Sequence, residues 1–174
     1  SIVVYWNYQN STCRAVGSPE SGGNGNGSLA QFNSGAVPRA TYAASDFTLL
    51  ELDDPADPAF NLYWNGWDRR NQNFPTAFGI HHPRVAEKRI SLSGAPTQFA
   101  GGDLSNPNPG PGDEDHLFVR WRPGIGVTEG GSSGSPAINA RGEIVGANFG
   151  STNFTSAVLT GAEAQGAGFV RADR

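Results

Sequence analysis

No stretch of eleven or more residues in this chain repeats its apolar positions at the 3.6-residue spacing of a helix. The apolar residues fall instead in short runs, each cut by Gly, Pro, Asn, Asp or Ser. Ile2 to Trp6, Arg39 to Ala43, Phe47 to Leu52, Phe60 to Trp64, Thr76 to His81 and Lys88 to Leu92 read as strands. His116 to Trp121 alternates as a half-buried strand does. Ala137-Ile138, Glu143 to Phe149 and Gly168 to Val170 complete the set. Many short strands with turn signals between them predict an all-β sandwich or barrel pair.

Glycine occurs 24 times and proline 12, against ordinary usage of about 7% and 5%. Long loops are therefore expected over residues 17–36 and 101–115. A content of 37% hydrophobic and 10% aromatic residues still supplies a core. Asp53 to Pro58 breaks the strand before it, so a boundary between two β units is expected within residues 53–60. The division so read is 1–56 for a first, partial barrel and 57–174 for a second.

Composition also excludes function classes. The net charge is −4, and no basic stripe exists for a phosphate backbone, so no nucleic-acid partner is expected. No run approaches the roughly 18 apolar residues of a membrane helix. Methionine is absent, so Ser1 is not a translation start and the chain reads as processed or as part of something longer. Cys13 is the only cysteine. Alone, it reads as a small buried hydrophobe or as half of a bridge whose partner lies elsewhere. The acids Asp113-Glu114-Asp115 are read as a solvated loop, and no metal or cofactor is implied.

One segment points to chemistry: Thr128-Glu129-Gly130-Gly131-Ser132-Ser133-Gly134-Ser135-Pro136. A nucleophilic serine needs an accessible Oγ on a tight turn, with backbone N–H groups converging beside it. Glycine permits such a turn. On composition alone, a Gly/Ser run is a turn or a linker.

Order and context change that reading. Gly-Ser-Ser-Gly-Ser-Pro before an apolar strand resembles the nucleophile loop of chymotrypsin-like serine proteases, whose usual form is Gly-Asp-Ser-Gly-Gly-Pro. Upstream, Asp46-Phe47-Thr48-Leu49-Leu50-Glu51-Leu52 is similar to the segment that carries the family's catalytic aspartate. Read without the family, Asp46 is a loop aspartate capping a turn. Tyr63 to Arg70, Ile80-His81-His82-Pro83 and Glu87 to Ser91 resemble the bacterial lysyl endopeptidase branch, a secreted group that cleaves after lysine. The resemblance runs from Ser1 to Gly146.

It implies a double β-barrel with the first barrel incomplete. It implies Ser133 as nucleophile, the N–H groups of Gly131 and Ser133 as oxyanion donors, and Asp46 as the partner of a histidine base. Thr128, Asn148, Phe149, Gly150, Ser151 and Glu163 would lie beside the substrate. In relatives a histidine stands where Phe149 is, and a pocket aspartate pairs with the substrate lysine. Glu163 is the nearest acid here, so lysine preference widens to lysine or another basic residue.

The family's base precedes its aspartate, and no histidine precedes Asp46. The resemblance places that base, and the partner of Cys13, in a segment before Ser1. The order Asp46, His81 or His82, Ser133 is that of subtilisins, but those need an α/β fold. His81-His82-Pro83 is read instead as a strand end and turn, and His116 as a surface or satisfied core residue. Two functions follow. One is a secreted, monomeric serine endopeptidase, or a fragment of one, acting on peptides without a cofactor and inactive as this chain alone. The other is a non-catalytic protease-like β domain that binds peptides or proteins.

Overall fold

The computed structural model describes residues 2–15, 18–20, 23–43, 46–100, 116–152 and 166–171, with the backbone alone described for 151–152 and 166–171. Among the described residues the regular structure is strands with two short 3₁₀ turns, so the fold class is all-β. It forms two compact units, Ser1–Trp64 and Asn65–Arg174.

Among the described residues the first unit has two antiparallel ribbons. β1 (Val3–Tyr5) pairs with β2 (Phe32–Ser34), and β3 (Ala36–Tyr42) with β4 (Phe47–Leu52). β2 falls inside the span expected to be loop. It pairs because Trp6 donates its indole N–H to Asn33 Oδ1 at 2.7 Å and Tyr5 lies against Phe32, ring centroids 6.2 Å apart. Ahead of it, Arg14 gathers the carbonyls of Glu20, Gly23 and Asn24 at 2.7–2.9 Å, which gives a polar stretch its shape without a core.

The strand expected at Phe60 to Trp64 does not form. Asp57 Oδ1 accepts from the Ala59 N–H at 2.8 Å and caps a 3₁₀ turn over Pro58–Phe60, and Asn61 leaves it in the left-handed region. The Phe60 carbonyl then accepts from the Asn7 side chain instead of from a strand neighbour. No described side chain of this unit is fully buried, and Val37, Tyr42, Phe47 and Leu49 remain largely exposed. A two-stranded ribbon has one partner per strand and cannot enclose a core. The strand read at Ile2 to Trp6 forms as β1 in one of these ribbons. Cys13 is a free, exposed thiol, which rules out the buried-hydrophobe reading.

The second unit holds the core. Seven antiparallel strands lie in the order β6-β5-β9-β10-β11-β8-β7. They are β5 (Ala77–His81), β6 (Arg89–Leu92), β7 (Gln98–Ala100), β8 (His116–Arg120), β9 (Pro136–Asn139), β10 (Ile144–Thr152) and β11 (Gly166–Arg171). β7 escaped the sequence reading because three residues are too few to show alternation. Past the end of β6, Ser93 bridges Trp121, with Gly94 N–H donating to Arg120 O and Arg122 N–H to Leu92 O, both at 2.8 Å. That rung curls the sheet toward itself. Among the described residues the ladders do not close it into a barrel.

Phe74, Ala77, Leu117, Val119, Trp121, Ala137 and Val145 form the core, with Phe99 packed against them. Trp121 is fully buried, and its ring lies so close to Gly79 that a Cβ there would stand 3.1 Å from it. A side chain at Gly79 would therefore push the largest core residue out of place.

Candidate active site

The loop between Val127 and Pro136 joins the end of the β8 segment to β9. Its shape is set by bonds on both sides of Ser133. Ser132 N–H donates to Glu129 O at 2.9 Å, and Ser135 N–H to Ser132 O at 3.1 Å. Gly134 N–H donates to Asn148 O, and Asn148 N–H to Ser135 O, each at 2.8 Å. Asn148 adds a third tie, its Nδ2 donating to Ser132 O at 3.0 Å. Ser133 is the exposed apex between these ties, while Ser132 beside it is fully buried. Among the described residues the Ser133 side chain makes no hydrogen bond, and neither does the N–H of Gly131 or of Ser133. A hydroxyl and two free N–H groups on a fixed turn are the parts that acyl transfer requires.

Gly131 has φ +92, and a Cβ there would meet His82 O at 3.0 Å and the Arg84 and Val85 nitrogens at 3.1 Å. Only glycine fits both the angle and the space. The turn that presses on it, Pro83–Val85, is strained: Arg84 and the β-branched Val85 both have positive φ, 52 and 61. Arg84 N–H donates to Gly130 O at 2.7 Å, and its guanidinium pairs with Glu129 at 3.3 Å. His82 Nδ1 meets Ala86 O at 2.9 Å and closes the turn.

Behind the loop lies His81, the last residue of β5. Its Nδ1 is 2.8 Å from Ser132 Oγ and its Nε2 3.0 Å from Ser91 Oγ. Burial, then the charges of His82 and Arg89, push its pKa down to about 4. The strand reading found the end of β5 but missed this bond. The signal was the alternation itself, because Ala77, Gly79 and His81 share the inward face of β5.

On the other side of the loop, β10 slips by one residue against β11 between Asn148 and Gly150, leaving Phe149 as a bulge. Bulges re-aim side chains and recur beside functional sites. Phe149 is 40% exposed, with its ring centroid 5.1 Å from that of the buried His116.

A separate polar network anchors the base of the unit. Asp68 is buried and takes Arg70 through Oδ1 and Oδ2, Arg141 at 3.0 Å and the Asn139 amide at 3.3 Å. The Arg70 side-chain bonds outweigh burial and hold its pKa at about 2, well below its ordinary 3.8. Asn65 to Asp68 also pair with the start of β10, Asp68 N–H to Ile144 O and Ile144 N–H to Gly66 O, both at 2.8 Å.

The model of the lysyl endopeptidase C-terminal domain family matches residues 1–161. The chain belongs to that family. A solved structure of Rv3671c from M. tuberculosis H37Rv, a serine-to-alanine mutant in an inactive form, shows 15% identity with this chain and a TM-score of 0.47. It aligns over 79% of this chain and 59% of that one. The chain thus spans about three-fifths of the length of that protein.

Within this lysyl endopeptidase domain, the second unit brings Gly131, Ser133, Asn148, Phe149 and Gly150 to one loop and the strand beside it. Thr128 and Asn148 are buried, and the Asn148 amide nitrogen, N–H and carbonyl are all engaged by the loop. The backbone of Ser151 pairs with Ala167. Glu163 lies outside the described residues, as do Asp113, Glu114 and Asp115. Asp46 belongs to the first unit. It is exposed at the tip of the β3–β4 hairpin with φ 50, its N–H donating to Ala43 O at 3.2 Å. No described helix is long and apolar enough to cross a membrane, and no described group of three or more His, Cys, Asp or Glu side chains could hold a metal.

Proposed function

We propose that this chain is the body of a secreted serine endopeptidase that cleaves after lysine or another basic residue. The observation that carries it is the loop: Ser133 exposed at the apex, with the N–H groups of Gly131 and Ser133 free beside it. In this reading Ser133 Oγ attacks the scissile carbonyl, and the two N–H groups take the charge that grows on its oxygen. An acyl-enzyme forms, and water releases it.

In this reading Asp46 has the role of orienting a histidine base. His81 is committed to Ser132 and Ser91, which leaves it unavailable for Ser133. Thr128, Phe149, Gly150 and Ser151 border the substrate, while Asn148, tied to Ser132, Gly134 and Ser135, holds the loop from behind. The family description supports the basic preference. Glu129, the acid on the loop itself, is already paired with Arg84.

The test is expression of the chain together with the coding sequence upstream of Ser1. The product is treated with a fluorophosphonate and with peptide anilides ending in lysine, arginine, glutamate or phenylalanine. Labelling of Ser133, abolished in Ser133→Ala, and turnover of the basic substrates are expected. An upstream segment that supplies a histidine and yet gives neither label nor turnover would favour the peptide-binding domain instead.

A further inference from the structure

Ser91 Oγ lies 2.9 Å from Val127 O, to which it donates, and accepts from Val127 N–H at 3.1 Å. A hydroxyl has one hydrogen. Ser91 therefore cannot also donate to His81, and His81 Nε2–H donates to Ser91. Nδ1 is then bare and accepts the Ser132 hydroxyl hydrogen, while Ser132 Oγ accepts from Glu129 N–H at 3.2 Å. Each hydrogen is used once, and of the two neutral tautomers only the one protonated at Nε2 satisfies the set, with an acceptor for the Ser132 hydrogen.

We propose that His81 is a positioning residue for the Gly131–Ser133 loop: neutral, it holds Ser132 and fixes the N–H groups on either side, and protonated, it releases them. This rests on reading that loop as the nucleophile loop. A second proton, on Nδ1, makes that nitrogen a donor to Ser132 Oγ. The Ser132 hydrogen then loses its acceptor at a fully buried position, the buried imidazole carries a charge, and the anchor is weakened.

The charges that act on His81 are positive, from His82 and Arg89. Arg89 stands opposite His81 on β6, and His82 and Arg84 follow it on the turn. Glu129 on the loop is paired with Arg84 at 3.3 Å. Glu87 and Lys88 lie on the segment leading into β6. The lowered pKa of about 4 agrees with this geometry. If release returns the imidazole to its ordinary 6.5, the ratio of released to held loop rises about twentyfold between pH 7 and pH 5.

The experiment uses the 174-residue chain with ¹⁵N-labelled backbone and histidines. Long-range ¹H–¹⁵N correlation reads the tautomer and titration of His81. Hydrogen exchange, corrected for intrinsic rates, reads the bonded amides of Ser132, Gly134 and Ser135. The Nε2–H tautomer, a depressed titration and protection falling about twentyfold from pH 7 to pH 5 are expected. His81→Gln keeps a neutral donor and acceptor and should flatten that pH dependence. Ser132→Ala should lower loop protection at both pH values and leave the amides of β8 unchanged.

An Nδ1–H tautomer, a titration near 6.5, or the wild-type pH slope in His81→Gln would overturn the proposal. So would full loop protection in Ser132→Ala. Loop protection that follows the imidazole in a protein that cleaves no peptide supports the positioning role and overturns the peptidase reading alone.

Discussion

The imidazole Nδ1 of His81 stands 2.8 Å from the hydroxyl of Ser132, the residue before Ser133. A buried histidine on β5 thus carries one side of a loop whose exposed apex is 52 positions further along the chain. The other side is carried by Asn148 on β10. The consequences can be separated residue by residue.

Ser132 and Ser133 are adjacent and should behave oppositely. Ser133→Ala removes an exposed hydroxyl without a partner, so stability should change by less than about 0.5 kcal/mol. Ser132→Ala removes two buried hydrogen bonds and should cost roughly 1–3 kcal/mol. Urea denaturation of both variants checks the contrast. In the intact endopeptidase of the proposed function, Ser133→Ala should leave only the ~10³–10⁴-fold acceleration over water of a triad-deficient site.

Gly131→Ala meets both a positive φ and contacts of 3.0–3.1 Å with the 82–85 turn. The backbone penalty alone is about 1–2 kcal/mol, and the crowding adds to it. A lower urea midpoint and faster exchange at Ser132 and Gly134 are expected. A variant as stable as the parent would contradict the packing of the turn against the loop.

Asn148→Ala deletes the amide that supports the Ser132 carbonyl at 3.0 Å. Ser135 N–H remains on that carbonyl, so the loss should be modest, about 1–2 kcal/mol. Loop amides should exchange faster while those of β5 hold.

Asp68 gives the fold an acid limit. Its folded pKa, near 2, is below its ordinary 3.8. The unfolded chain therefore binds the proton more readily, and the stabilisation is complete above 3.8 and lost as pH falls toward 2. Asp68→Asn should cost about 2–3 kcal/mol at neutral pH. It should also flatten the stability profile between pH 4 and pH 2. Denaturation midpoints across that range test both points.

Trp121 is the largest fully buried side chain, packed over Gly79. Trp121→Ala should cost about 3–5 kcal/mol. Near-ultraviolet circular dichroism and a melt would register it, with the curl of the sheet at Ser93 lost first.

The all-β class was legible because alternation and β-branched runs report which residues can lie half-buried on a sheet. His116 to Trp121 forms β8 and the Trp121 bridge where the run put them, but His116 to Val119 are all buried, because the strand is covered on both faces instead of half-buried. The turn over residues 128–136 was legible for a similar reason: its glycines record backbone demands that no other residue meets, and Gly131 at φ +92 shows one of them. Phe60 to Trp64 misled because apolar content alone does not choose a strand over a turn capped by Asp57. β2 was missed because a three-residue strand exists only through its partner.

The support of Ser133 could not be read along the chain at all. His81, Ser91 and Ser132 come together only when β5, β6 and the loop are packed. The same histidine on an exposed strand would carry its ordinary proton affinity. The sequence determined which groups could do chemistry and which turns the backbone could make. Tertiary structure decided which histidine is buried, which hydroxyl it holds and which serine is left open, because burial and hydrogen-bond partners are properties of the packed chain.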